Sequence, residues 1–176
     1  MQNWEKMSEE PYRAGYRKML RRKYKLPDGR IDEYDIKDEG DAVCILGLTP
    51  DDEVIIAKQF RPGPEKVLLE LPGGVRDKNE SPDEAIKREF LEETGYSGDL
   101  HLVNTCWNCG YSNRATHNFV ATNCKKVQEP QLDENEFIEV ALLPLNEFKE
   151  LLQSGELTDS KTAFYGLEYL RSVGKI

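Results

Sequence analysis

No stretch of this sequence is long and apolar enough to span a bilayer, and its first residues lack the apolar core of a secretion signal. No membrane partner and a cytoplasmic location are therefore expected. Cysteine is scarce as well. Cys44, Cys106, Cys109 and Cys124 are too few for a disulfide scaffold and are expected to be reduced. Cys106-x-x-Cys109, with His117 and Cys124 following, raises a zinc or redox reading. A redox pair belongs at the opening of a helix in a βαβ unit, and this one joins two strands. Four converging zinc ligands are not evident either, because alternation along Ala115 to Thr122 puts His117 on one face with Phe119; ordinary thiols are expected. Positive charge is outweighed too: 24 Lys and Arg against 33 Asp and Glu leave a net charge of −9. That balance argues against a nucleic-acid groove. It leaves nucleotides open, since a bound metal inverts the local field.

What is present fills one domain with an added arm, residues 1–38 and 39–176. The arm holds a basic block, Arg13, Arg17, Lys18, Arg21, Arg22, Lys23 and Lys25. Such a block suits a polyanion, but it also suits a strand pair balanced by the acidic neighbours from Asp32 to Glu39, and the balanced pair is the expectation. Pro27-Asp28-Gly29 marks the turn of a β-hairpin, which is marginal unless it packs on something, so the arm is expected to serve homodimer formation. Past the arm, short apolar runs predict strands at 42–48, 54–60, 67–71, 100–106, 115–122 and 137–143. Helices are predicted at about 146–153 and 160–171.

The stretch Gly73 to Tyr96 organises the rest. Ser81 suits an N-cap, Pro82 the first helical position, Glu84 a capping box, and Gly95 a stop. Glu89, Glu92 and Glu93, at i, i+3 and i+4, share an arc of about 100° on that helix. Like charges there cost on the order of 1 to 2 kcal/mol with the helix dipole. Ala85, Ile86 and Phe90 point the same way, so the acids lean toward the protein. A solvated acidic face is one resolution of that conflict. A hard divalent cation shared between carboxylates and substrate phosphates is the other.

The full pattern Gly-x5-Glu-x7-Arg-Glu-x-x-Glu-Glu-x-Gly is filled by Gly74, Glu80, Arg88, Glu89, Glu92, Glu93 and Gly95. Seven fixed positions match by accident on the order of once in 10⁸ starting points. The stretch resembles a complete Nudix box, with Phe90 and Tyr96 at two positions that usually carry aliphatic residues. Over roughly residues 40–172 the order of parts is most similar to the ADP-ribose and nucleoside diphosphate sugar pyrophosphatase branch. Gln59 to Pro62, Glu70 to Gly74, and Glu134 with Glu136 match that branch's segments.

The resemblance implies an α+β Nudix fold, a mixed sheet sandwiched between helices, with the N-terminal hairpin arm. It implies Mg²⁺, or Mn²⁺ in its place, held by Glu89, Glu92, Glu93 and Glu136 with the Gly73 or Gly74 carbonyl. Arg88 and Glu80 would be a supporting pair, Arg88 close to the chemistry; Arg61, at a strand exit, suits either a substrate phosphate or a plain surface position, and is taken with Glu70 as a candidate substrate-binding residue. Glu134 is the implied general base; Glu89 takes that role in other branches. The implied reaction is in-line attack of water on a pyrophosphate phosphorus, turning ADP-ribose into AMP and ribose 5-phosphate. The branch's usual Ser-Pro-Gly turn is Asn108-Cys109-Gly110 here, and Arg114 replaces the acid beyond it. Other nucleoside diphosphate sugars, dinucleoside polyphosphates, RNA caps or a non-catalytic nucleotide-sensing role stay open on that count.

Overall fold

The computed structural model describes residues 3–176. The chain divides into two compact units: the residues up to Asp41 together with Cys106–Thr116, and Ala42–Thr105 together with His117–Ile176.

The first unit is built on an antiparallel sheet of β1 (Glu5–Ala14), β2 (Arg17–Lys25) and β3 (Ile31–Lys37), in that order. The expected hairpin is β2 and β3, turned at Leu26 to Arg30. The strand β1 is an addition. Its run of Glu, Arg and Ser has no apolar alternation to announce it, and Pro11 is tolerated because β1 is an edge. Its register sets Glu9 opposite Arg22 and Glu10 opposite Arg21. The basic block is balanced as anticipated, with Arg21 on Asp35 at 3.0 Å and Lys23 on Glu33 at 2.9 Å, and Glu9 adds a contact to Arg22 at 2.5 Å. Trp4, Tyr24 and Tyr34 cluster with ring centroids 5.7 to 6.2 Å apart. Segment 106–116 joins this unit through Asn113, which accepts the Glu39 N–H and donates to Asp38, and through Arg114, which donates to the Gly40 carbonyl.

The second unit owes its layers to strict alternation. In β4 (Ala42–Gly47), Cys44 and Leu46 enter one apolar cluster while Val43 and Ile45 enter another. In β5 (Glu53–Arg61), Val54 and Ile56 take the first side and Ile55 the second. In β9 (Ala115–Lys126), Val120 faces the first, and Phe119 and Ala121 the second. Successive strand residues point to opposite faces, so two clusters require cover on both sides. The first is closed by α2 (Leu145–Ser154) with Phe148 and α3 (Ser160–Ser172) with Ala163, Leu167 and Leu170. The second is closed by α1 (Pro82–Thr94) with Ala85, Ile86 and Phe90. The sandwiched strands form one sheet in the order β10-β5-β6 and one in the order β7-β4-β9-β8. Here β6 is Lys66–Glu70, β7 Gly73–Val75, β8 Tyr96–Trp107 and β10 Ile138–Pro144. Among the described residues, no helix is long and apolar enough to cross a membrane.

Candidate active site

The helix α1 begins and ends as its sequence dictates. Ser81 Oγ accepts the Glu84 N–H at 3.3 Å while the Glu84 carboxylate accepts the Ser81 N–H at 2.8 Å. Gly95 closes the helix at φ +74°, its N–H on the Leu91 carbonyl. A side chain at Gly95 would run into the Gln128 carbonyl, so the stop is also a packing site. The Glu92 carbonyl accepts the Gln131 N–H at 2.7 Å. That bond ties the start of the acidic loop to the last turn of α1.

Glu93, predicted to lean inward, does so most completely. It is 6% exposed and accepts the Gly73 N–H at 2.9 Å. Burial pushes its pKa up to about 8, and the nearby Glu89 and Glu136 carboxylates push the same way against the Gly73 hydrogen bond. Burial likewise raises Glu89, with Arg88 opposing and Glu92 and Glu136 adding to the rise. Glu136 therefore belongs to the same electrostatic neighbourhood as the helix acids, although it lies on a loop. Glu134, two residues earlier, is exposed. The loop is shaped by Glu136, whose N–H donates to the Asp133 carbonyl at 2.9 Å.

Arg88 is the cation of this cluster, and it is fully engaged. Its guanidinium forks onto Glu80 at 2.9 and 3.0 Å, and a further nitrogen meets Glu89 at 2.9 Å and Glu92 at 3.2 Å. The Glu80 contact dominates, raising Arg88 above its usual range and lowering Glu80 below its own. The two glycines ahead of the helix are shaped to the acids. Gly73 sits at φ +156°, and a Cβ there would fall 2.2 Å from the Val43 carbonyl. A Cβ at Gly74 would fall 2.5 Å from the Glu89 carboxylate. At Gly73 only glycine allows this approach to the β4 backbone, and at Gly74 a side chain would displace the Glu89 carboxylate.

This donor set fits a hard divalent cation. All its members are oxygens, and two of the carboxylates are held above their normal range, chiefly by burial and further by one another's charge. Among the described residues, no three acidic, histidine or cysteine side chains stand as a closed ligand set. Glu89 and Glu92 are turned to Arg88, and a cation would have to draw them from it.

The remaining predicted residues group on β5 and β6. Glu70, the last residue of β6, is 4% exposed and accepts hydrogen bonds from Gln59 at 3.0 Å, Arg61 at 2.8 Å and Thr158 at 3.0 Å. Arg61 is half-exposed, and Glu93 is among the carboxylates acting on it. One member of this group is absent from the sequence reading: Asp159, whose carboxylate accepts the Leu71 N–H at 3.1 Å. In the sequence it reads only as a residue ahead of a helix. Asn108-Cys109-Gly110 lies in the first unit, with the Asn108 N–H on the Arg114 carbonyl. His117 bonds the Thr105 hydroxyl at 2.9 Å.

Residues 38–163 match the NUDIX domain, and the chain belongs to the Nudix hydrolases. It is an enzyme of phosphorus-containing anhydrides, related to the ADP-ribose and nucleotide-sugar pyrophosphatases. An ADP-ribose pyrophosphatase of Bacillus subtilis (strain 168) is 34% identical over 149 residues, covering 83% of this chain and 80% of that protein. A GDP-mannose pyrophosphatase of Yersinia enterocolitica is 34% identical over 139 residues, covering 73% and 72%. The fold is shared with the crystal structure of an ADP compounds hydrolase at TM-score 0.84 and 22% identity, over 100% of this chain and 98% of that one.

Proposed function

We propose that the chain is a Mg²⁺-dependent pyrophosphohydrolase that cleaves ADP-ribose or a related nucleoside diphosphate sugar to a nucleoside monophosphate and a sugar phosphate. The observation that carries this reading is Glu93. It is a carboxylate buried against the Gly73 N–H, beside Glu89 and Glu136, while the local arginine is committed to Glu80, Glu89 and Glu92. Glu89, Glu92, Glu93 and Glu136, with the Gly73 or Gly74 carbonyl, would hold the cation. When bound, Mg²⁺, or Mn²⁺ in its place, supplies neutralisation of the charge developing on the phosphate oxygens and a lowered pKa for water.

The chain's own residues do the rest. Arg88 and Glu80 hold the acids of α1 in place, as supporting groups orient ligands elsewhere. Arg61 offers its half-exposed guanidinium to a phosphate, and Glu70 serves substrate binding by aiming it. Glu134, exposed on the loop, would take the proton of the attacking water once the loop settles over substrate. In-line displacement then leaves the two phosphates on separate products. Likeness to the ADP-ribose pyrophosphatase supports the first-named substrate, and likeness to the GDP-mannose pyrophosphatase keeps a second nucleoside diphosphate sugar beside it.

The arm is proposed to serve a homodimer. It exposes Trp4, just ahead of β1, at 44% and Tyr16, in the turn between β1 and β2, at 97%, and Ile36 is its buried apolar side chain among the described residues.

The test is a panel of ADP-ribose, ADP-glucose, GDP-mannose, dinucleoside polyphosphates and capped RNA, with products identified, for the parent and Glu93→Gln. Turnover of a nucleoside diphosphate sugar by the parent and its near loss in the variant are expected. Stoichiometric binding without product would instead make the chain a sensor. Equal turnover in both proteins would take α1 out of the mechanism.

A further inference from the structure

Asp159 stands at the N-cap position of α3, where aspartate ordinarily caps its own helix, yet its side chain makes no cap hydrogen bond. Its Oδ2 instead accepts the Leu71 N–H at 3.1 Å and lies 3.2 Å from the Thr158 hydroxyl. The carboxylate is partly buried, and that burial followed by the nearby Glu70 pushes its pKa up to about 6. An acid that forgoes its own cap and tolerates this burial needs a reason in what it grips.

What it grips is the lead-in to the glycine pair. In Leu71-Pro72-Gly73, proline has no N–H, so the segment offers two backbone donors. The Leu71 N–H goes to Asp159 at 3.1 Å and the Gly73 N–H goes to Glu93 at 2.9 Å. The Pro72 carbonyl between them accepts the Ile45 N–H at 3.0 Å. The tripeptide is therefore pinned by one carboxylate from α3, one from α1 and the backbone of β4. The tolerance at its far end is small, since Gly73 already lies where a Cβ would strike the Val43 carbonyl, and a Cβ at Gly74 would meet the Glu89 carboxylate. Thr158 extends the grip by one residue, donating to Glu70 at 3.0 Å.

We propose that Asp159 is a positioning residue for the hydrolytic site: by holding the Leu71 N–H from α3, it seats the Gly73-Gly74 backbone against Glu93 and Glu89. It touches neither substrate nor cation and acts through the glycines. The inference rests on the metal-dependent hydrolase reading above.

Two substitutions in the full chain separate this role from a purely structural one. Asp159→Ser supplies a good N-cap for α3 but is too short to reach Leu71, so the helix is kept while the tether is cut. Asp159→Asn keeps an acceptor oxygen at the same reach. The readouts are the affinity for Mn²⁺ alone by calorimetry, the melting temperature, and kcat and KM on the best panel substrate. Asp159→Ser is expected to weaken Mn²⁺ binding about tenfold and to lower kcat about 10- to 100-fold, with KM within about threefold and the melting temperature close to the parent's. Asp159→Asn is expected to stay within about threefold of the parent in every readout. Unchanged Mn²⁺ affinity in Asp159→Ser overturns the proposal. So does an Asp159→Asn variant that loses as much as Asp159→Ser, or a loss of rate that merely follows a fall in melting temperature. If the parent cleaves no panel compound, the hydrolase reading fails, and the Mn²⁺ affinities of the two variants still decide the tether.

Discussion

The arm and the helix α1 both crowd glutamates and arginines together, and the two crowds are built to opposite ends. In the arm, the acids are exposed and paired, so that Arg22 holds Glu9, and Arg21 holds Asp35, below the usual carboxylate range. On α1, the acids outnumber their arginine and face inward, so burial holds Glu89 and Glu93 above it. A paired surface acid is satisfied by its partner. A buried acid pushed upward is costly to ionise where it stands, and such groups cluster at functional sites. The same residue types thus read as scaffold in one unit and, on the proposed function, as a ligand-binding device in the other.

The sharpest break of this comparison is removal of one charge from α1. Glu93→Gln should lower kcat by roughly 10² to 10⁴, because the carboxylate is tied to Gly73 and central to the donor set. Circular dichroism and gel filtration should report an unchanged fold. Retention of more than a tenth of the parental rate would mean that the helix acids do not carry the chemistry. Next comes Arg88→Ala, which leaves the acids in place but frees Glu89, Glu92 and Glu80 from their shared fork. A rise of about 10- to 100-fold in the Mg²⁺ concentration for half-maximal rate is expected, measured by metal titration. A change in substrate KM alone would place Arg88 on the substrate instead.

A third prediction sharpens the contrast through pH. Folding raises the pKa of Glu93 from its ordinary 4.5 to about 8, so the folded chain holds this proton more tightly than the unfolded one. The resulting stabilisation is fully present below about pH 4.5 and is lost as pH rises through about 8. In chelator, thermal melts should therefore show the parent losing stability across that window relative to Glu93→Gln, which has no such proton. Above pH 8 the variant should melt several degrees higher. Mg²⁺ should reverse the order, because the parent, with its full set of carboxylates, binds the cation more tightly than the variant. Parallel melting curves at all pH values in chelator would show that Glu93 is not held above its normal range.

Much of this was readable from residues alone, for reasons that differ from part to part. The helix α1 announces both ends through Ser81, Pro82, Glu84 and Gly95, all local signals that tertiary packing had no cause to override. The inward lean of Glu93 followed from its sharing a face with Ile86 and Phe90. The strands β4 and β5 were legible because burial on both faces makes them continuous apolar runs, whereas the short β7 at Gly73–Val75 has no such run. The strand β1 was not, since its pairing rests on cross-strand charges such as Glu9 with Arg22, which carry no period. Nor was Asp159, for a residue before a helix looks like a cap whether or not it caps. What it binds lies 88 residues away in Leu71. The joining of Glu136 to the helix acids was suggested by family resemblance, whereas the Gln131 N–H on the Glu92 carbonyl that anchors its loop had no sequence signal.

The smallest effect is expected on the other side of the comparison. Asp35→Asn in the arm removes a carboxylate that Arg21 grips at 3.0 Å, the same chemistry as the Arg88 fork but on an exposed strand. Water and neighbouring groups can replace the lost partner, and Glu33 already lies 3.8 Å from the same guanidinium. The variant should keep the parental kcat and melt within a degree or two of the parent. Any difference should fade as salt is raised toward 1 M, where exposed charges are screened within about 3 Å. A loss of rate beyond tenfold with the melting temperature unchanged would show that the arm's charges enter the chemistry, and the division between paired scaffold and unsatisfied site would have to be redrawn.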